Sequence, residues 1–238
     1  MRFVRLSLIG LVICVSLVAK AQEHPSVLFI GDSHSVGTFG KTLDTLFRSN
    51  PNRKMMTVAS CGVSPNAFLQ GLSTKCGFLS LDLNWNETKK TKSKTPLMDD
   101  LSELVKPDLT VVALGANLIN WATSKPEFSA RQTRELAQKI SASGSKCLWV
   151  GPPNGRNKPI DKLTTLYEML MRETKDYCMF FDSRPESLSF LDFEELSKKA
   201  NKSGDGVHYD SLGQVGRTAM RKWAREVFIK AKVWNLNN

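Results

Sequence analysis

Short apolar runs alternate with amphipathic stretches along most of this chain, and that alternation restricts its fold more than any other feature. Residues 26–30 (SVLFI) form an unbroken apolar run, the pattern of a strand covered on both faces, and 109–114 (LTVVAL) is the clearest buried strand in the chain. Less marked runs at 54–59, 146–150 and 178–181 suit the same role. Helical patterns lie between them, at 37–48, 97–104, 128–140, 160–174 and 212–230. Strands separated by helices build βαβ units and a parallel sheet, so the expected class is α/β. Ser211 and Gln214 read as a capping box opening the last helix. Residues 64–96 break the pattern. Their glycines, asparagines and Lys89, Lys90, Lys92 and Lys94 predict a long irregular segment with a solvated basic face. A chain of 238 residues with no internal repeat and no linker suits one domain.

The amino terminus differs from the rest. Arg2 and Arg5 precede an apolar run at 6–18, and Ala19-Lys20-Ala21 has the small-x-small form of a signal-peptidase site. The run is short for a bilayer span, which argues against an uncleaved anchor. Ile13 before Cys14 argues against a lipoprotein. A signal peptide at 1–21 and a single mature domain at 22–238 follow. The protein is expected to be periplasmic or secreted, without stable membrane insertion after cleavage. Cleavage lowers the formal charge from +10 to +7, which favours anionic surroundings such as a cell-wall polymer or lipid headgroups. No aromatic–basic RNA-binding motif appears, so no nucleic-acid partner is expected. Cys61, Cys76, Cys147 and Cys178 remain, and an even number in an exported chain predicts two disulfides. Without C-x-x-C spacing or a nearby histidine they do not read as a zinc site, and no metal or cofactor is expected.

Four small motifs fall at the ends of these elements, where parallel α/β sheets place their sites. Gly31-Asp32-Ser33-His34-Ser35 follows the first strand, so Ser33 stands on a strand-to-helix turn beside free backbone N–H groups. The same residues also suit a helix cap. Gly62 follows the second strand, where a glycine allows close approach of the backbone to a ligand, or simply makes a turn. Gly115-Ala116-Asn117 follows the third, and an asparagine amide there either donates to an oxyanion or forms a turn. Asp205-Gly206-Val207-His208 precedes the last helix. A serine hydroxyl needs a base, and a histidine oriented by a carboxylate supplies one. The chain has three histidines. His24 lies at the expected mature terminus, and His34 adjoins Ser33 with its side chain expected to point away, which leaves His208.

The order GDS, glycine, G-x-N and D-x-x-H resembles the SGNH/GDSL hydrolases over about residues 26–228. That resemblance implies a flavodoxin-like three-layer sandwich with a five-stranded parallel sheet of order 2-1-3-4-5. It implies Ser33 as nucleophile, His208 as base and Asp205 as its orienter. The oxyanion hole would combine the Ser33 and Gly62 backbone N–H groups with the Asn117 side chain. Gly151-Pro152-Pro153 matches a proline-containing loop of these enzymes. Leu118, Ser60 and His34 depart from the usual residues, and none of the three removes a catalytic group.

The resemblance implies ester hydrolysis. Export, basic charge and the tryptophans Trp85, Trp121 and Trp149 point toward acetyl groups on an envelope or other extracellular glycan. Trp121 is placed to stack on a sugar ring, although core packing is the commoner use of tryptophan, and Trp149, inside the fourth strand, is expected in the core. Arg156 and Lys158 suit either an anionic group or solvent. Competing readings are a lipid esterase or thioesterase, an O-acetyltransferase, and a glycan-binding module without turnover. In the implied strand order the fourth and fifth strands are neighbours, which predicts a Cys147–Cys178 disulfide. Cys61 and Cys76 flank the start of the irregular segment and are the second predicted pair.

Overall fold

The computed structural model describes residues 25–235. The signal-peptide segment 1–21 lies outside the described residues, as does His24.

Five parallel strands form the centre: β1 (Val27–Gly31), β2 (Met55–Ser60), β7 (Leu109–Ala113), β8 (Lys146–Val150) and β9 (Met179–Phe181). Their spatial order is β2-β1-β7-β8-β9, which counted among these five is the expected 2-1-3-4-5. β1, β2 and β7 are buried at every residue because both sheet faces are covered. On one face α1 (Thr38–Arg48) and α8 (Gln214–Asn235) pack through Phe39, Leu43 and Trp223 onto Val27, Phe29 and Val111. The opposite layer holds α2 (Pro65–Gln70), α3 (Met98–Val105), α5 (Pro126–Ala142) and α6 (Ile160–Thr174). Phe68, Leu101, Leu136 and Leu166 carry that layer onto Leu28, Ile30 and Val112. Short α4 (Trp121–Ser124) leads into α5.

The sheet has seven strands rather than five, which corrects the irregular reading of 64–96. β4 (Phe78–Leu81) pairs antiparallel with β2, and β5 (Glu87–Lys90) pairs antiparallel with β4 as the edge strand. β3 (Ser73–Thr74) and β6 (Ser93–Lys94) form a separate two-stranded ribbon. β4 is apolar (Phe-Leu-Ser-Leu), but β3, β5 and β6 carry no hydrophobic pattern, and β5 is a polar, lysine-bearing edge, as solvent-exposed edges commonly are. α7 (Phe193–Ala200) also lies outside the expected set. Its signal is in the chain: Asp192 caps it by accepting the Glu195 N–H at 3.0 Å, three residues on.

The expected capping box at Ser211 and Gln214 does not form. α8 starts at Gln214 after Gly213, and Ser211 belongs to a 3₁₀ turn, Tyr209–Leu212. Disulfides join Cys61 to Cys76 and Cys147 to Cys178. The second follows from register: Leu148 pairs with Met179, so the residues before them lie side by side.

Candidate active site

Ser33, Gly62, Asn117 and the 205–208 loop all come from segments at the carboxyl end of the parallel sheet. β1 runs straight into a 3₁₀ turn, Ser33–Ser35, whose start is capped by Asp32 accepting the His34 N–H at 3.1 Å. The turn packs tightly on α1, where a side chain at Gly40 would overlap the Ser35 carbonyl. Ser33 is left half-buried, its hydroxyl facing the loop before α8.

There His208 Nε2 lies 2.9 Å from Ser33 Oγ, and His208 Nδ1 lies 2.7 Å from Asp205 Oδ2. The other carboxylate oxygen accepts the backbone N–H groups of Val207 at 2.9 Å and His208 at 2.7 Å. Burial alone would raise the Asp205 pKa. The hydrogen bonds from the His208 and Val207 backbone and the His208 ring outweigh it, holding the carboxyl below its ordinary value. An ionised Asp205 keeps the proton on Nδ1 and leaves Nε2 as an acceptor toward Ser33.

Gly62 follows β2 with φ +74°, a left-handed conformation that suits glycine. The Ser33 and Gly62 backbone N–H groups have no acceptor among the described residues. Asn117 donates one amide hydrogen to the Val63 carbonyl at 2.8 Å. That bond fixes the amide beside Gly62 and leaves its second N–H unspent. Three donors thus gather at one end of the sheet with the serine, the combination acyl transfer needs for a developing oxyanion.

Several residues are placed differently from the sequence reading. Arg156, expected to bind substrate, spends its fork on the α7 region: Glu194 at 2.8 Å, Ser197 Oγ at 2.8 Å and the Ser203 carbonyl at 3.1 Å. Its guanidinium is therefore a tie between loops. Lys158 is neither solvated nor open to an anion. It is buried, donating to His34 Nε2 at 3.1 Å and to the Pro153 carbonyl at 3.3 Å. His34 is buried as well, its ring 5.3 Å from that of His208. Trp121 is partly exposed on α4, edge-on to Phe128 at 5.7 Å with the Lys125 ammonium 5.7 Å from its ring. Trp149 is core, as its place inside the fourth strand predicts, whereas Trp85 stands on the β4–β5 turn at the opposite end of the sheet.

Three positioning contacts were missed in the sequence. Asp210 Oδ2 accepts the Thr38 N–H at 2.8 Å, joining the histidine loop to the first turn of α1. Ser211 Oγ accepts the Asp205 N–H at 3.1 Å. Asn154 Oδ1 accepts from the Phe193 N–H at 3.0 Å and the Tyr209 hydroxyl at 2.8 Å. The only local hint was the density of small polar residues around His208. Among the described residues no group of acidic, histidine and cysteine side chains has the arrangement of a metal site.

No family model matches the chain, and no curated protein matches its sequence. Solved structures do share its fold. The psychrotrophic esterase EstA from Pseudoalteromonas sp. is 15% identical with a TM-score of 0.57, covering 90% of this chain and 100% of its own. A peptidoglycan O-acetylesterase is 14% identical with a TM-score of 0.56, covering 86% of this chain and 91% of its own. The acetyl xylan esterase AlAXEase is 18% identical with a TM-score of 0.53, covering 84% of this chain and 98% of its own. At these identities the likeness shows a common fold.

Proposed function

We propose that this chain is a serine ester hydrolase of the SGNH/GDSL type, with Ser33 as nucleophile, His208 as base and Asp205 as its orienter. The observation that carries the reading is the unbroken chain of hydrogen bonds from Ser33 Oγ through the His208 ring to Asp205. His208 Nε2 takes the hydroxyl proton as Oγ attacks the ester carbonyl carbon. The carbonyl oxygen becomes an oxyanion held by the Ser33 and Gly62 N–H groups and the free Asn117 N–H. His208 then protonates the leaving alcohol. Water, activated by the same histidine, releases the acid from Ser33.

Acetyl groups on an extracellular glycan are the proposed substrate. Two of the proteins sharing the fold are named as an acetyl xylan esterase and a peptidoglycan O-acetylesterase, which supports a small acyl group and a sugar alcohol. The same reading takes residues 22–238 as one hydrolase domain, exported after loss of 1–21. Two disulfides support an oxidising compartment, where such bonds persist. No helix of the described residues is long and apolar enough to cross a membrane. Hydrolysis of p-nitrophenyl acetate, butyrate and octanoate tests the acyl preference. The highest kcat/KM is expected for acetate, and a preference for octanoate would point to lipid esters instead.

A further inference from the structure

We propose that Lys75, Lys90, Lys92 and Lys94 form a docking surface for a carboxylate-bearing polysaccharide, and that the ester substrate is a polymer of this kind. The proposal rests on the ester-hydrolase reading and names its substrate class.

Topology brings these lysines beside the site. Lys90 pairs with Phe78 on β4, which pairs with Ser60 at the end of β2, two residues before Gly62. Two strand spacings, about 10 Å, therefore separate Lys90 from the backbone leading to Gly62. Lys94 pairs with Ser73 in the β3–β6 ribbon. Lys75 is held still closer. Thr74 before it donates to the Cys61 carbonyl at 2.5 Å, and Cys76 after it is bridged to Cys61.

All four side chains are exposed, and none has an ion-pair partner among the described residues. The acids of the hairpin sit elsewhere. Asp82 and Glu87 lie toward the turn at the far end, and Glu87 is paired with Lys41 at 2.6 Å. An unneutralised row of cations at one rim focuses anionic partners toward it. Lys90, Lys92 and Lys94 are strung along β5, the turn and β6, and Lys75 follows the paired strand β3, which fits the repeated carboxylates of a polymer rather than one small anion. Leu72 is the only large apolar side chain exposed on this ribbon, and a membrane surface needs an apolar face besides the charge.

The experiment uses polygalacturonate, a polymer of carboxylate-bearing sugars, without and with O-acetyl groups. In affinity electrophoresis through unesterified polygalacturonate, the protein should be retarded at low salt and released as salt rises. The variant K75Q/K92Q/K94Q should lose that retardation. A control of equal charge loss at the opposite end of the sheet, K175Q/K230Q/K232Q, should keep it. On acetylated polygalacturonate the rim variant should lose about tenfold in kcat/KM through KM, with p-nitrophenyl acetate turnover unchanged. Absent retardation, equal loss in both variants, or binding to phosphatidylserine vesicles in place of the polymer would overturn the proposal. Retention without any ester turnover would instead count against the hydrolase reading alone.

Discussion

Lys158 Nζ lies 3.1 Å from His34 Nε2, and both side chains are buried behind the turn that carries Ser33. An ammonium can only donate, so His34 accepts through Nε2 and carries its proton on Nδ1. Burial, then the Lys158 charge, holds the His34 pKa well below its ordinary value. Burial also pushes Lys158 down to about 8, against the pull of Asp32. Asp32 is pushed up to about 6 by burial, against the His34 N–H and the Lys158 charge. A buried carboxylate and ammonium thus share the floor of the site.

This cluster predicts a pH dependence of stability. The folded pKa of Asp32, about 6, lies above its unfolded value of 3.8, so its contribution is fully present below 3.8 and lost as pH rises through 6. Lys158 has a folded value of about 8 against 10.5, so its contribution is present above 10.5 and lost as pH falls through 8. Urea midpoints for wild type and Asp32→Asn, followed from pH 3.5 to 7, check the first window. The variant should gain on wild type by up to about 3 kcal/mol across it, and a constant difference would contradict the burial account.

Asp210 should act as a tie between the histidine loop and α1. Asp210→Ala removes the acceptor of the Thr38 N–H, with an expected loss of about 1 kcal/mol and a several-fold fall in kcat. Asp210→Asn keeps an acceptor and should recover most of both. Thermal melts and ester kinetics on the pair measure it.

Asn117→Ala should lower kcat by roughly a hundredfold with little change in KM, because its free N–H is needed most in the transition state. Asn117→Asp should be at least as damaging, since it has no N–H to offer and sets a carboxylate against the Val63 carbonyl. Steady-state kinetics on p-nitrophenyl acetate decide between this and a pure KM effect, which would make Asn117 a substrate-binding residue.

The two disulfides should separate by function. Their sequence separations of 15 and 31 give roughly 3 to 4 kcal/mol each in the chain-entropy model. Cys147→Ser/Cys178→Ser should lower the melting temperature and spare kcat, because that bridge joins strand starts away from the site. Cys61→Ser/Cys76→Ser should lower kcat as well, because Cys61 adjoins Gly62. Melting curves and kinetics of both double variants test the contrast.

The parallel core was legible because β1 and β7 are short runs dominated by apolar residues, as a sheet covered on both faces favours. The hairpin was not, because the edge strand β5 is polar, with the sequence Glu-Thr-Lys-Lys, and its existence depends on pairing with β4. Ser33, Asp205 and His208 could be picked out because each stands in a short motif at an element end. Lys158 could not: its burial depends on the 3₁₀ turn of Ser33 and the loop after β8 meeting in space, and a lysine in a loop otherwise reads as solvated. Arg156 misled for the same reason, since its partners on α7 lie about 40 residues away in sequence.

The central claim is that Ser33 and His208 act as one unit on an ester. Release of acetate from p-nitrophenyl acetate by wild type, Ser33→Ala, His208→Ala and the double variant tests it most directly. Each single variant should lose nearly all turnover while remaining folded, and the double should be scarcely worse than either, because the hydroxyl is useless without its base. His34→Ala should retain substantial activity. Near-normal turnover by Ser33→Ala, or a greater loss from His34→Ala than from His208→Ala, would contradict the account.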